Sequence, residues 1–191
     1  AIAAAAAAKG VPVVLDLAGM GPGPCPALHC FLSTAKVGVL LGDSAALQAL
    51  RAVAGAPTGQ STTEATALDL VRAVASQTGA VAVLMDRVAH VSDGHQVLQV
   101  HNHHSFLDAV ADPPAALMVA ASLAVLPPTP LDRRPAGVAA GLTYYKVAAE
   151  LSGRKAVQES GGPGTFPAHL EDALCLLPPQ TLAVRGRVSA A

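Results

Sequence analysis

Short apolar runs alternate with longer stretches of helical spacing along this chain. Val11-Pro-Val-Val-Leu-Asp16 is apolar up to a closing acid, the form of a buried parallel strand whose carboxyl end faces a site. A loop dense in Gly and Pro follows over Gly19 to Pro26. Val37 to Leu41 reads as a second strand, followed by a helix from Ser44 to Val53 that stops near Gly55. Thr63 to Gln77 places Ala67, Leu70, Val71 and Val74 on one helical face and closes at Gly79.

Ala80 to Leu84 is a third strand, and His90 to Asp93 with Gln96 to Val100 flank Gly94 as a hairpin. Helices are expected over Ala115 to Leu126, Gly137 to Gln158 and Ala168 to Leu177, with a break at Gly161-Gly-Pro-Gly164. Strands alternating with covering helices predict one three-layer α/β domain over residues 1–191 with a mainly parallel sheet. Such a sheet takes ligands at the carboxyl ends of its strands. The chain opens on a helical pattern directly before a buried strand, so the domain is expected to be truncated at its N-terminal side. Val11 to Leu15 is then expected to lack covering elements.

Composition narrows the function classes. A chain of 191 residues is long enough to bury about 70 % of its unfolded surface. Apolar residues reach 52 % against 13 % charged, with a mean hydropathy of +0.46. Two readings fit that light charge: a surface covered by other chains, or an alanine-rich composition that adds apolar count without a large core. The formal net charge of -1 leaves no basic footprint for nucleic acid. The run Ala115 to Leu126 is too short to be a transmembrane segment. Ala1 to Ala8 has no preceding basic flank, as a secretory leader would. Cys25, Cys30 and Cys175 are an odd set without CxxC spacing, which fits a reducing compartment, cytosol or organelle.

Several segments together resemble the hydroxyethylthiazole kinase family, thiamine-salvage enzymes of ribokinase-like fold. Ala7-Ala-Lys-Gly-Val-Pro-Val-Val-Leu-Asp16 resembles the family's step from helix to strand. Val91-Ser-Asp-Gly94 resembles its hairpin turn, and Gly162-Pro-Gly-Thr-Phe166, with His169-Leu170 and Ala173-Leu174, its closing segment and last helix. Tyr145-Lys-Val-Ala-Ala-Glu150 sits at the matching distance upstream. The family's first third has no counterpart. The resemblance implies ATP and Mg²⁺ at the strand ends, and a Gly-Thr-Gly-Cys turn at a helix N-terminus whose N–H groups hold the transferring phosphate.

The residues at those positions are altered. The anion-hole turn coincides with Asp112-Pro113-Pro114-Ala115: the prolines have no N–H, and Asp112 brings a negative charge. The same residues suit a helix start, with Asp112 as N-cap and Pro113 in the first turn. The family's Arg-Gly-Asn-x-x-Glu corresponds to Leu41-Gly42-Asp43-Ser44-Ala45-Ala46, in which Asp43 is expected as the N-cap of the next helix. Its Thr-Gly-Glu turn corresponds to Met85-Asp86-Arg87, leaving Gly42, Asp43, Met85 and Asp86 as remnants of a nucleotide site. Asp16 alone persists as a candidate Mg²⁺ ligand.

His90, His95, His101, His103 and His104 surround the hairpin, but lack the spacing and the Cys or carboxylate partners of a zinc site. Gly19, Gly21 and Gly23 alternate with Pro22 and Pro24, which makes a stiff loop and not a phosphate cradle. The expected function is a non-catalytic member of the family, needing no cofactor and serving as a structural or assembly subunit. Its partners would be other protein chains, in a homotrimer or a heteromeric complex. The alternative is an active hydroxyethylthiazole kinase using ATP and Mg²⁺ to phosphorylate 4-methyl-5-(2-hydroxyethyl)thiazole. A third reading, a sensor that keeps a nucleotide or thiazole pocket, is disfavoured by the missing first third.

Overall fold

The computed structural model describes residues 5–6, 8–20, 25–53, 64–109, 115–125 and 134–191. Among them the elements run β1 (Val14–Asp16), α1 (Pro26–Thr34), β2 (Val39–Gly42), α2 (Ser44–Val53), α3 (Glu64–Thr78), β3 (Val81–Leu84), β4 (Ala89–Ser92) and β5 (Val97–Val100). A 3₁₀ turn at Ser105–Ala109 precedes α4 (Ala115–Val125), α5 (Arg134–Gln158), α6 (Phe166–Leu176), α7 (Pro179–Arg185) and β6 (Val188–Ala190).

The six strands form one sheet in the order β1-β2-β3-β4-β5-β6. β1, β2 and β3 pair in parallel, and each later pairing is antiparallel. β5 therefore points the same way as β1 to β3, and the carboxyl ends of these four strands lie along one edge. β4 and β6 run the other way.

The pleat explains how one sheet supports two cores. Successive side chains point to opposite faces. Val39, Leu41, Val81, Val83, Ala89, Val91 and Val100 enter one cluster together with Val119, Leu142, Tyr145, Phe166 and Leu170 of α4, α5 and α6. The intervening Leu40, Ala82, Leu84 and Val97 enter a second cluster with Leu47 of α2 and Leu70, Val71 and Val74 of α3. β2 and β3 are buried at every position, as expected of central strands covered on both faces. This is the three-layer α/β arrangement of the sequence reading.

β1 meets the expectation of poor cover in part. Val14 packs against the first cluster and Leu15 against the second, but both are only half-buried and Val11 just before them is 54 % exposed. Its outer edge carries no described partner strand. The sequence reading also missed α1, α7 and β6, and placed Pro26 at the end of a loop where it instead opens α1.

Glycine is required at the hairpin turn between β4 and β5. Gly94 has φ of 97°, and a Cβ there would lie 2.6 Å from the Ser76 hydroxyl of α3. Ser92 and Asp93 close the turn by accepting the N–H groups of Gly94, His95 and Gln96. α5 is buried at most positions between Pro135 and Ala156, packed between the sheet and its helical neighbours, and exposes charge only near its end at Arg154 and Lys155. Gly141 lets α4 cross close by: a Cβ would meet Ser122 Oγ at 2.7 Å.

Candidate functional site

The carboxyl edge gathers most of the candidate residues. Asp16 ends β1, and its Oδ1 accepts the Ala18 N–H at 2.9 Å. Gly42 ends β2, where a Cβ would press within 3.2 Å of the Ala46 methyl, so the strand end and α2 meet closely. Asp43 Oδ1 accepts the Ala46 N–H at 2.8 Å, which is the predicted N-cap of α2. Met85 follows β3, and Asp86 Oδ1 accepts the Arg87 N–H at 2.7 Å. Each of the three aspartates thus commits one oxygen to its own turn.

Two polar residues inside α5 give this edge its electrostatics. Lys146 is 1 % exposed, and its Nζ donates to the carbonyls of Asp86 at 2.8 Å and Arg87 at 2.9 Å. Burial depresses the ammonium to a pKa of about 8, opposed by the charges of Asp86, Asp108 and Glu150. One turn further on, Glu150 Oε1 accepts from Asn102 Nδ2 at 3.2 Å, from the His103 N–H at 3.1 Å and from Arg187 Nη2. Asn102 is itself fully buried: it also donates to the Arg185 carbonyl at 2.9 Å and accepts the Arg187 N–H at 2.8 Å. A bridge of side chains therefore joins the end of β5, α5 and the segment entering β6.

The histidines diverge and do not converge on a point. His101 Nε2 meets Ser189 Oγ at 2.7 Å, while His103 Nε2 lies 3.4 Å from Asp108 Oδ2. His104 stacks on Phe166 and abuts Phe106, and a Cβ at Gly153 would overlap its ring. Burial holds His103 below the usual imidazole range, with Asp108 opposing and Lys146 and Arg87 adding to the fall. Among the described residues no three His, Cys, Asp or Glu side chains group as metal ligands.

Ala115 opens α4 and is 3 % exposed. Asp112, Pro113 and Pro114 lie outside the described residues, as do Gly21, Pro22, Gly23 and Pro24. A cavity of about 220 Å³ lies between α1 and the α2–α3 pair, lined by Met20, Cys25, Leu28, Leu32, Leu50 and Gln77, and not at the strand ends.

The hydroxyethylthiazole kinase family model matches residues 1–180. The chain belongs to the hydroxyethylthiazole kinase family. A hydroxyethylthiazole kinase of Escherichia coli O17:K52:H18 is 32 % identical over 161 residues, 81 % of this chain and 58 % of that protein. One from Shigella flexneri serotype 5b is also 32 % identical over 142 residues, 73 % of this chain and 51 % of that relative. The solved hydroxyethylthiazole kinase structure from Pyrococcus horikoshii OT3 superposes with a TM-score of 0.74 at 25 % identity, covering 97 % of this chain and 68 % of that one. The chain thus spans little more than half the length of these curated relatives. Within the family fold, Lys146, Glu150, Asn102 and Arg187 are the edge residues that sequence reading left without a role. Their one sequence signal was Lys146 and Glu150, two charges four residues apart in the middle of a largely apolar helix.

Proposed function

We propose that this chain is a hydroxyethylthiazole kinase family protein that does not transfer phosphate and serves as a structural or assembly subunit. The start of α4 carries this reading. Ala115 presents a methyl group where the family resemblance places a thiol, and Pro113 and Pro114 have no N–H to offer a phosphate. Loss of a single oxyanion donor costs about 100- to 1000-fold in rate, and here two amides are lost together.

The edge also fits Mg·ATP poorly. A magnesium ion takes oxygens with free lone pairs in near-octahedral array. Asp16, Asp43 and Asp86 each have one oxygen tied into a local turn and one left over, while the Lys146 ammonium already holds the carbonyls behind β3 and opposes a further cation there. The assembly part of the reading draws on surface apolarity. Leu117 of α4, Leu176 of α6 and Val184 of α7 are 68 %, 75 % and 85 % exposed, which suits contact with another chain.

A second reading, an active hydroxyethylthiazole kinase, is favoured by the placement of Asp16, Gly42, Asp43 and Asp86 on one edge and by the names of the relatives. An assay decides between them. Hydroxyethylthiazole, MgCl₂ and ATP are supplied to this chain and to the longest form isolated from its source, and phosphorylated product is measured. No turnover above background is expected in either. A kcat within tenfold of about 10 s⁻¹, ordinary for an enzyme, overturns the proposal.

A further inference from the structure

Three carboxylates and three cations meet at the β3–β5 half of the carboxyl edge. Asp86, Asp108 and Glu150 act electrostatically on Lys146, and Arg87 and Arg187 stand beside them. The two strongest pairings come from opposite directions. Lys146 reaches up from the buried helix α5 to the turn after β3. Arg187 comes in from the approach to β6 and meets Glu150, whose Oε1 already accepts Asn102 and the His103 amide. His103 adds no charge of its own near neutrality, because burial favours its neutral form.

We propose that Lys146 and Arg187 are built-in cations that neutralise this edge from within, so that its conformation is complete without a divalent ion. The inference rests on the non-catalytic reading and deepens it by naming what the edge binds instead: its own side chains. An ammonium on the interior side of the turn repels an incoming divalent cation. A carboxylate oxygen that accepts three donors retains little capacity to coordinate one. Lys146 and Arg187 are positioning residues, since each acts through the turn or the carboxylate it holds.

The test compares the wild-type chain, Lys146→Met and Arg187→Gln. Thermal midpoints are measured in EDTA and in millimolar MgCl₂, and amide hydrogen exchange is followed at residues 87–89 and 102–103. The wild-type midpoint is expected to shift by less than about 2 °C when magnesium replaces EDTA, since a competent site would stabilise by mass action. Lys146→Met should speed exchange at residues 87–89, and Arg187→Gln at residues 102–103, each by about tenfold or more. Arg187 has an exposed guanidinium, so its variant stays folded even if Lys146→Met does not. A wild-type shift of about 2 °C or more, or unchanged exchange in Arg187→Gln, overturns the inference. A magnesium shift without turnover removes the built-in cations and leaves the non-catalytic reading standing; turnover removes that reading itself.

Discussion

The two helical layers on this sheet are built differently. Over one face lie α4 to α7, where α5 is buried along most of its 25 residues and Phe166, Tyr145 and Leu142 are at most 1 % exposed. Glycines at 141 and 153 bring helix and loop into close approach there. Over the other face lie α1 to α3, where Leu28 and Leu32 are only half-buried beside a cavity of about 220 Å³. The sheet contributes to the contrast: its face toward α1 to α3 carries the buried polar His90, Ser92 and Gln99, while the strand positions of the other cluster are apolar. The helices add the rest. Large side chains and the Lys146–Glu150 network are concentrated in the first layer, and stability should be concentrated there too.

Truncations measure the contrast most directly. Phe166→Ala is expected to cost about 3–5 kcal/mol in urea denaturation, because a fully buried ring leaves a cavity that close packing cannot collapse. Leu32→Ala, beside existing empty space, should cost less than about 2 kcal/mol. Equal costs would show that the layers do not differ.

Raising the pH singles out the buried ammonium. Lys146 has a folded pKa of about 8 against the 10.5 of an ordinary lysine. Between these values the unfolded chain binds a proton that the folded chain has released, so stability rises with pH across that window. The amine left behind still has two N–H donors for the Asp86 and Arg87 carbonyls. Relative to Lys146→Met, the wild type should gain up to about 3 kcal/mol from pH 8 to 10.5. A flat or falling difference would remove the buried charge from the picture.

Added methyl groups give the smallest effects, with opposite signs. Gly141→Ala should lose about 1–3 kcal/mol by pressing on Ser122 and the Met118 carbonyl. Ala49→Val, on the cavity wall, should gain up to about 1 kcal/mol. A loss at both sites would mean that the α1–α3 layer is as full as the other.

Local patterns in the sequence predicted what local physics determines. The helix from about Ser44 to Val53 was legible, because Asp43 caps it and its apolar spacing is regular. The hairpin around Gly94 was legible for the same kind of reason. α1 was hidden because Pro26 follows a run of Gly and Pro and reads as more loop. β6 was hidden because three small exposed residues become a strand only by pairing with β5, about ninety positions earlier. At the site, the N-cap role of Asp43 was readable from its neighbours. Lys146 and Glu150 were not, since spacing of four in a helix ordinarily marks a surface pair. Their partners lie on other elements: the carbonyls at 86 and 87, the side chain at 102 and the guanidinium at 187.

The pairing of β5 with β6 also sets a timetable for synthesis. Asn102 and Glu150 cannot complete their hydrogen bonds until Arg187 has left the ribosome, and β5 has no outer neighbour until residue 190 follows. The interval from Asn102 to Arg187 is 85 residues. At about 5–20 residues per second, that is roughly 4–17 seconds of translation. During it the nascent domain carries an unpaired strand edge and, once Glu150 has been added, a carboxylate short of its guanidinium, and it is over this interval that a chaperone would find the chain most receptive.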